Sequence, residues 1–226
     1  MEGPFLIGDT EHYRVRLAVS TADHMTEWVI RDETLRYGMG YSIPQPFHWT
    51  VDGRYFYYTD AFFPDGCAIF VNGFNLYRLD LTDGTSAEIV PPGAWWVSLS
   101  PDEKTAAYVL WNGTDLEIVT RDTASLEEQR GTFDPVYTQG GAIIWSPDGK
   151  SLALTLASRP CEPPDWTQSI IRLDITTLSQ RLLFQANEPL LRTVEWPEPN
   201  TILLADEDGN TWTMNANTGH AEPAQH

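Results

Sequence analysis

Four stretches of this chain repeat one pattern, and their spacing limits the fold more tightly than any single residue does. They are His48-Trp49-Thr50-Val51-Asp52-Gly53, Ser98-Leu99-Ser100-Pro101-Asp102-Glu103, Ile144-Trp145-Ser146-Pro147-Asp148-Gly149 and Glu195-Trp196-Pro197-Glu198-Pro199-Asn200. From Trp49 to Leu99 is 50 residues, from Leu99 to Trp145 is 46 and from Trp145 to Trp196 is 51. Periods of this size mark propeller blades or solenoid units.

Between the markers the chain alternates short runs of Val, Ile, Leu, Tyr and Trp with Asp-Gly, Asn-Gly and Thr-Gly turns, the pattern of short antiparallel strands. The fourth repeat predicts strands at 141–145, 151–157, 169–175 and 180–184 around the Ser146-Pro147-Asp148-Gly149 turn. The same frame predicts 47–50, 55–59, 75–81 and 86–90, then 95–98, 105–110, 116–120 and 127–132. The last repeat gives 192–196, 202–205 and 211–215 without an obvious fourth strand. Before residue 47 the pattern is degraded, with strands expected at 13–20 and 26–31 and a weaker one at 35–43. Phe5-Leu6-Ile7 either serves as inner strand of that first repeat or completes the last one.

The expectation is an all-β chain, a β-propeller of about five four-stranded antiparallel blades with the first and last irregular. It forms one domain over 1–219, followed by a tail at 220–226. Trp49, Leu99, Trp145 and Trp196 share one repeat position and read as wedges between sheets. Pro presets φ and Gly accepts positive φ in such turns, so Asp102-Glu103, which lacks the glycine, is expected to turn differently.

Three phrases carry a family resemblance: Trp145-Ser146-Pro147-Asp148-Gly149-Lys150, Asp206-Glu207-Asp208-Gly209-Asn210, and 75–84 with its Asp80-Leu81-Thr82-Asp83-Gly84 ending. Together they resemble the repeat of TolB-like β-propellers over Phe47 to Gly219. The resemblance implies blade structure and leaves activity open, because such propellers serve as partner platforms, as peptidase gates and as sensors.

Composition narrows the function. With 14 basic against 32 acidic residues the chain carries −18, a field that repels nucleic acid and anionic membrane surfaces. No apolar run is long enough to span a bilayer, so membrane insertion is not expected. Met1-Glu2-Gly3-Pro4 does not read as a signal peptide, which suits a cytoplasmic chain, and a removed leader leaves location open. Cys67 and Cys161 belong to no Cys/His grouping, and the five histidines are scattered. Neither a metal nor a cofactor is implied.

Nucleophile chemistry lacks its elbow, since no Gly-x-Ser-x-Gly occurs. Glycoside hydrolysis requires converging carboxylates, and the inner strands offer Glu195 alone among Phe47, His48, Val97, Ser98, Ile143, Ile144 and Val194. Asp206-Glu207-Asp208-Gly209-Asn210 is dense in oxygen ligands, yet it reads as a hairpin turn rather than a calcium loop. What is left is recognition. The loops joining second to third strands, at 60–66, 111–115 and 158–168, share one end of the sheets and are rich in rings and charges. The candidate binding residues are Trp95, Trp96, Trp111, Asp115, Arg159, Asp165, Trp166 and Arg192. They suit a non-catalytic module that binds a protein or peptide partner. The alternative is a lectin-like module for a small ligand or glycan using Trp95, Trp96 and Arg192, and a glycoside hydrolase ranks below both.

Overall fold

The computed structural model describes residues 5–7, 10–22, 24–36, 42–61, 69–160 and 166–224. Among the described residues every regular element is a strand, and no helix is long and apolar enough to cross a membrane. The chain divides into two compact units, Met1–Phe63 with Gly73–Glu88, and Pro64–Asn72 with Ile89–His226.

In the first unit, β1 (Phe5–Ile7), β2 (Thr10–Ser20) and β3 (Glu27–Arg36) form a three-stranded sheet in the order β1-β2-β3. A second sheet runs β4 (Ile43–Trp49), β5 (Tyr55–Ala61), β6 (Leu76–Asp80), β7 (Ser86–Val90). The second unit holds a third sheet, β8 (Ala94–Leu99), β9 (Thr105–Trp111), β10 (Leu116–Asp122), β11 (Glu128–Thr132). Its fourth sheet is β12 (Gln139–Trp145), β13 (Ser151–Ser158), β14 (Thr167–Asp174), β15 (Gln180–Ala186). The fifth is β16 (Arg192–Glu198), β17 (Thr201–Ala205), β18 (Thr211–Asn215), β19 (Ala221–Pro223). All pairings are antiparallel, and in each sheet the strands lie side by side in chain order.

This is the predicted blade pattern, with differences at both irregular sheets. The last sheet has a fourth strand that the sequence did not announce. Ala221–Pro223, inside the stretch expected as a tail, pairs with β18, where an outer position tolerates proline. The strand expected at 26–31 continues as β3 as far as Arg36 along the 11-residue β2, with one bulge at Leu17/Ala18, while 37–41 of the stretch expected at 35–43 lies outside the described residues. Phe5–Ile7 pairs with β2 on the side away from β3. The turn from β2 to β3 repeats the bonds of the first-to-second strand turns: Thr21 N–H to Thr26 C=O, His24 N–H to Thr21 C=O and Thr26 N–H to Thr21 Oγ1 correspond to Thr50 with Tyr55, Gly53 with Thr50, and Tyr55 with Thr50 Oγ1.

Local chemistry explains the turns. The Thr50, Ser100 and Ser146 hydroxyls each donate to the carboxylate two residues on, Asp52, Asp102 and Asp148, at 2.7 Å. Each hydroxyl oxygen accepts the amide N–H that opens the next strand, from Tyr55, Thr105 and Ser151, at 2.9 Å. The turn at Glu103 does not differ as expected. Its φ of 62° matches Gly53 at 69° and Gly149 at 68°, and its N–H bonds Ser100 C=O as theirs bond Thr50 and Ser146. The surrounding bonds hold a side-chain-bearing residue in the left-handed region. Each turn is then tied to the outer hairpin of its own sheet, through Leu81 N–H to Arg54 C=O, Thr123 to Lys104, Ile175 to Lys150 and Ala216 to Asn200.

The core lies between sheets. In the second unit Leu152, Leu154 and Leu156 of β13 face Val109, Leu116 and Ile118 of the third sheet, with Trp145 in the same cluster. On the other side Ala153 and Ile170 meet Trp196, Ile202, Leu204 and Met214 of the fifth sheet. β13 is therefore buried along all eight residues. Trp145 and Trp196 are wedges as read from the repeat, but Trp49 is 50% exposed and leans on Phe56 at 4.7 Å. In the first unit Val19, Phe56 and Leu79 form the core with Trp28, Leu17 and Ile30 against it.

Candidate binding surface

Each sheet has a turn end, where the inner strand passes into the second, and a loop end opposite. In the second unit the loop end gathers the hairpins at 112–115 and 206–210, the loops at 133–138 and 187–191, the described residues 159, 160 and 166, and the starts of the inner strands β8, β12 and β16. Every predicted site residue among those described stands at this end.

Trp111 and Asp115 flank a hairpin held by Asn112, whose Oδ1 accepts the N–H of Thr114 and of Asp115, both at 2.9 Å, while Nδ2 donates to Glu117 at 2.5 Å. Trp111 is left 42% exposed. Arg159 is exposed, with φ of 47°, and its N–H reaches Thr138 Oγ1 at 3.3 Å, tying this loop to the start of β12. The base of the loop is closed by Ser158 Oγ and Thr167, 2.7 Å between hydroxyls, with half-buried Trp166 beside it. Arg192 is exposed at the first position of β16, opposite Ala205.

Trp95 and Trp96 have a different fate. They sit at a bulge of β8 and are half-buried; Trp95 C=O accepts from Asn72 N–H at 3.1 Å, and Trp96 packs against Phe70. Register shifts recur in the other inner strands, at 46/48, 141/144 and 193/195. A bulge re-aims side chains and leaves backbone groups to be satisfied by other means. Here Thr193 does so, donating its hydroxyl to Ala142 C=O and its N–H to Thr155 Oγ1 at 3.2 Å. Gln168 likewise holds the 187–191 loop, accepting from Leu191 N–H at 2.8 Å and donating to Pro189 C=O. Phe70, Asn72, Gln139, Gln168 and Thr193 are the residues that sequence reasoning missed. Asn72-Gly73 reads as an ordinary turn, and isolated glutamines carry no pattern. Asp165, together with Phe62, Phe63, Cys67 and Cys161, lies outside the described residues.

The acid-rich 206–210 hairpin is a turn. Asp206 accepts from the N–H groups of Asp208 and Asn210, from Asn210 Nδ2 at 3.0 Å and from Trp212 Nε1 at 3.1 Å. The Asn210 side-chain bond first, outweighing some burial and aided by the Trp212 bond, holds its carboxyl below the usual range. Among the described residues no three His, Cys, Asp or Glu side chains are arranged to hold a metal ion. Open clefts of about 500, 420 and 310 Å³ lie at the turn end, lined by Thr105, Asp122 and Glu127, by Asn200, Asn215 and Glu222, and by Asp102, Asp148 and Ile175.

No family model matches the sequence, and no curated protein matches it. Solved structures do. The oligogalacturonate lyase of Vibrio parahaemolyticus superposes with a TM-score of 0.63 at 18% identity over 97% of this chain and 62% of that one. A putative TolB from Agrobacterium tumefaciens gives 0.58 at 16% identity over 97% and 71%. The β-propeller domain of the Trilobed protease from Pyrococcus furiosus, with an open velcro topology, gives 0.56 at 12% identity over 98% and 70%. The chain thus spans about three fifths of the length of the Vibrio lyase. At these identities the likeness shows the fold alone, and the fold is the β-propeller.

Proposed function

We propose that the chain is a non-catalytic propeller module that binds a protein or peptide partner at the loop end of its second unit. Trp111, Arg159, Asp165 and Trp166 are the anchors, with Asp115 and Arg192 beside them. The observation that carries this reading is the exposed Trp111, presented on a hairpin that Asn112 locks with three hydrogen bonds. An aromatic side chain on a rigid base loses little entropy on binding, and Trp and Arg dominate the energetics of protein interfaces. Arg159 and Arg192 are both exposed at this end and can meet acidic groups of a partner.

The test is selection of peptides on the whole chain, followed by titration of the best binders against Trp111→Ala and Arg159→Ala. Each change should weaken binding at least about tenfold, the usual cost of truncating an anchor. Undiminished affinity in both would remove the surface. A glycan ligand is the second reading, favoured by the likeness to the Vibrio oligogalacturonate lyase. Titration with oligogalacturonate tests it, and saturable binding that Arg192→Ala abolishes would replace the first reading.

A further inference from the structure

Residues 69–72 are held by the second unit in the way that a separate peptide would be. The Phe70 ring, 2% exposed, fills a hollow formed with Ala142, Ala157 and Trp96. The hollow exists because residue 141 has no side chain: a Cβ there would stand 2.6 Å from Phe70 Cβ and 3.1 Å from the Trp96 ring. Two residues on, Asn72 reads the free edge of β8. Its N–H donates to Trp95 C=O at 3.1 Å, its Nδ2 to Val97 C=O at 2.7 Å, and its Oδ1 accepts Val97 N–H at 2.8 Å. Ile69 N–H donates to the buried Gln139 Oε1 at 2.9 Å. Because β8 is the terminal strand of its sheet, these backbone groups are the ones an added strand would use.

We propose that this inner edge is a recognition site for an extended peptide carrying an aromatic residue followed two positions later by Asn, and that 69–72 is the chain's own competing occupant. The proposal does not depend on the rim surface at Trp111. Specificity comes from two features. The Gly141 hollow admits an aromatic ring, and a carboxamide meets both the donor and the acceptor of Val97, where a carboxylate could only accept. A tethered segment has an effective concentration in the millimolar range, so it excludes a free peptide until its own hold is weakened.

The probe is a fluorescein-labelled copy of residues 69–74, Ile-Phe-Val-Asn-Gly-Phe, followed by anisotropy against the whole chain. With the wild type no saturation is expected up to about 100 µM, given the millimolar local competitor. Phe70→Ala and Asn72→Ala should each bind at least about tenfold tighter, and the peptide should raise the thermal midpoint of Phe70→Ala. Adding Gly141→Val, or replacing the peptide's Asn by Asp, should abolish the gain. Equal binding to wild type and variants, or no binding to variants with wild-type circular dichroism, overturns the proposal. So does dimerisation of the variants without peptide binding, which would assign the edge to a second copy. Should neither variant fold, hydrogen exchange of the wild type decides. A Val97 amide exchanging at least about tenfold faster than that of Ile118 shows the segment leaving its site, and equal rates overturn the proposal.

Discussion

The two ends of the second unit are built by different means. At the turn end the hydrogen bonds within each turn span two to five residues, as from Ser100 to Asp102, Lys104 to Asp102 and Thr105 to Ser100, and they recur from sheet to sheet, as do the ties such as Thr123 to Lys104 that stay within one sheet. At the loop end, beside the local bonds of the Asn112 and Asp206 hairpins, others join residues of different sheets: 70 positions between Ile69 and Gln139, 51 between Thr193 and Ala142, 25 between Asn72 and Val97. The first kind forms as soon as the local backbone does. The second requires the sheets to be assembled first, and it therefore differs in every blade. Variation in that end is what lets one architecture carry different surfaces.

Phe70→Ala should produce the largest change, because it empties a hollow at the loop end that Gly141 and Trp96 shape around the ring. The expected loss is about 3–5 kcal/mol by urea unfolding, the range for truncating a buried Phe. A loss as small as that of a turn-end mutant would mean that the long-range contacts add little to stability.

Asp148→Ala removes one acceptor shared by Ser146 and Lys150 and should cost about 1–2 kcal/mol, with Asp148→Asn retaining most of the stability since its amide oxygen still accepts. The charge on these turns should appear in the pH dependence. The Asp102 and Asp148 carboxyls are held below the usual range, first by the hydroxyl of Ser100 or Ser146 and then, against some burial, by the amides ahead. At Glu128 burial pushes upward but is outweighed by hydrogen bonds from Tyr108 and Arg130, so that carboxyl is lowered too. Depressed folded values mean that this stability is complete above the unfolded pKa of about 4 and is lost as pH falls through the lower folded values. Urea midpoints should therefore be flat from about pH 7 to 5 and fall below about 4, less steeply in a double Asp102→Asn, Asp148→Asn chain.

Glu103→Gly sharpens the comparison in the opposite direction. It releases a left-handed residue at a turn whose bonds are otherwise those of Gly149, and should stabilise the chain by up to about 1 kcal/mol, read as a higher urea midpoint. Smallest of all should be Trp111→Ala, a residue 42% exposed at the end of β9: less than about 1 kcal/mol in urea unfolding, against a much larger effect on partner affinity.

How far each end could be read in advance follows the same division. The Trp-Ser-Pro-Asp-Gly phrase states its own turn, and the apolar runs at 105–110 and 151–157 state the strands beside it, so the sheets stand where the pattern puts them. Glu103 was misread because the missing glycine was given more weight than the Ser100 and Asp102 side chains that impose the same turn. At the loop end the aromatic residues were visible, but their division was not. Trp95 and Trp96 look as available as Trp111 until Phe70 and Asn72 are seen to lie against them.

The sequence by itself determined the blade: its four-strand rhythm, its serine and aspartate turns, and the apolar faces that drive one sheet onto the next. These depend on neighbours a few residues apart, and a periodic pattern suffices to specify them. Only the tertiary structure decided that an Asn-Gly pair is a clamp on β8, that Gly141 is room for Phe70, and which tryptophans remain exposed. Each of those outcomes is an encounter between residues 25 or more positions apart, where burial and hydrogen bonding are settled by which sheets pack together and by no local preference.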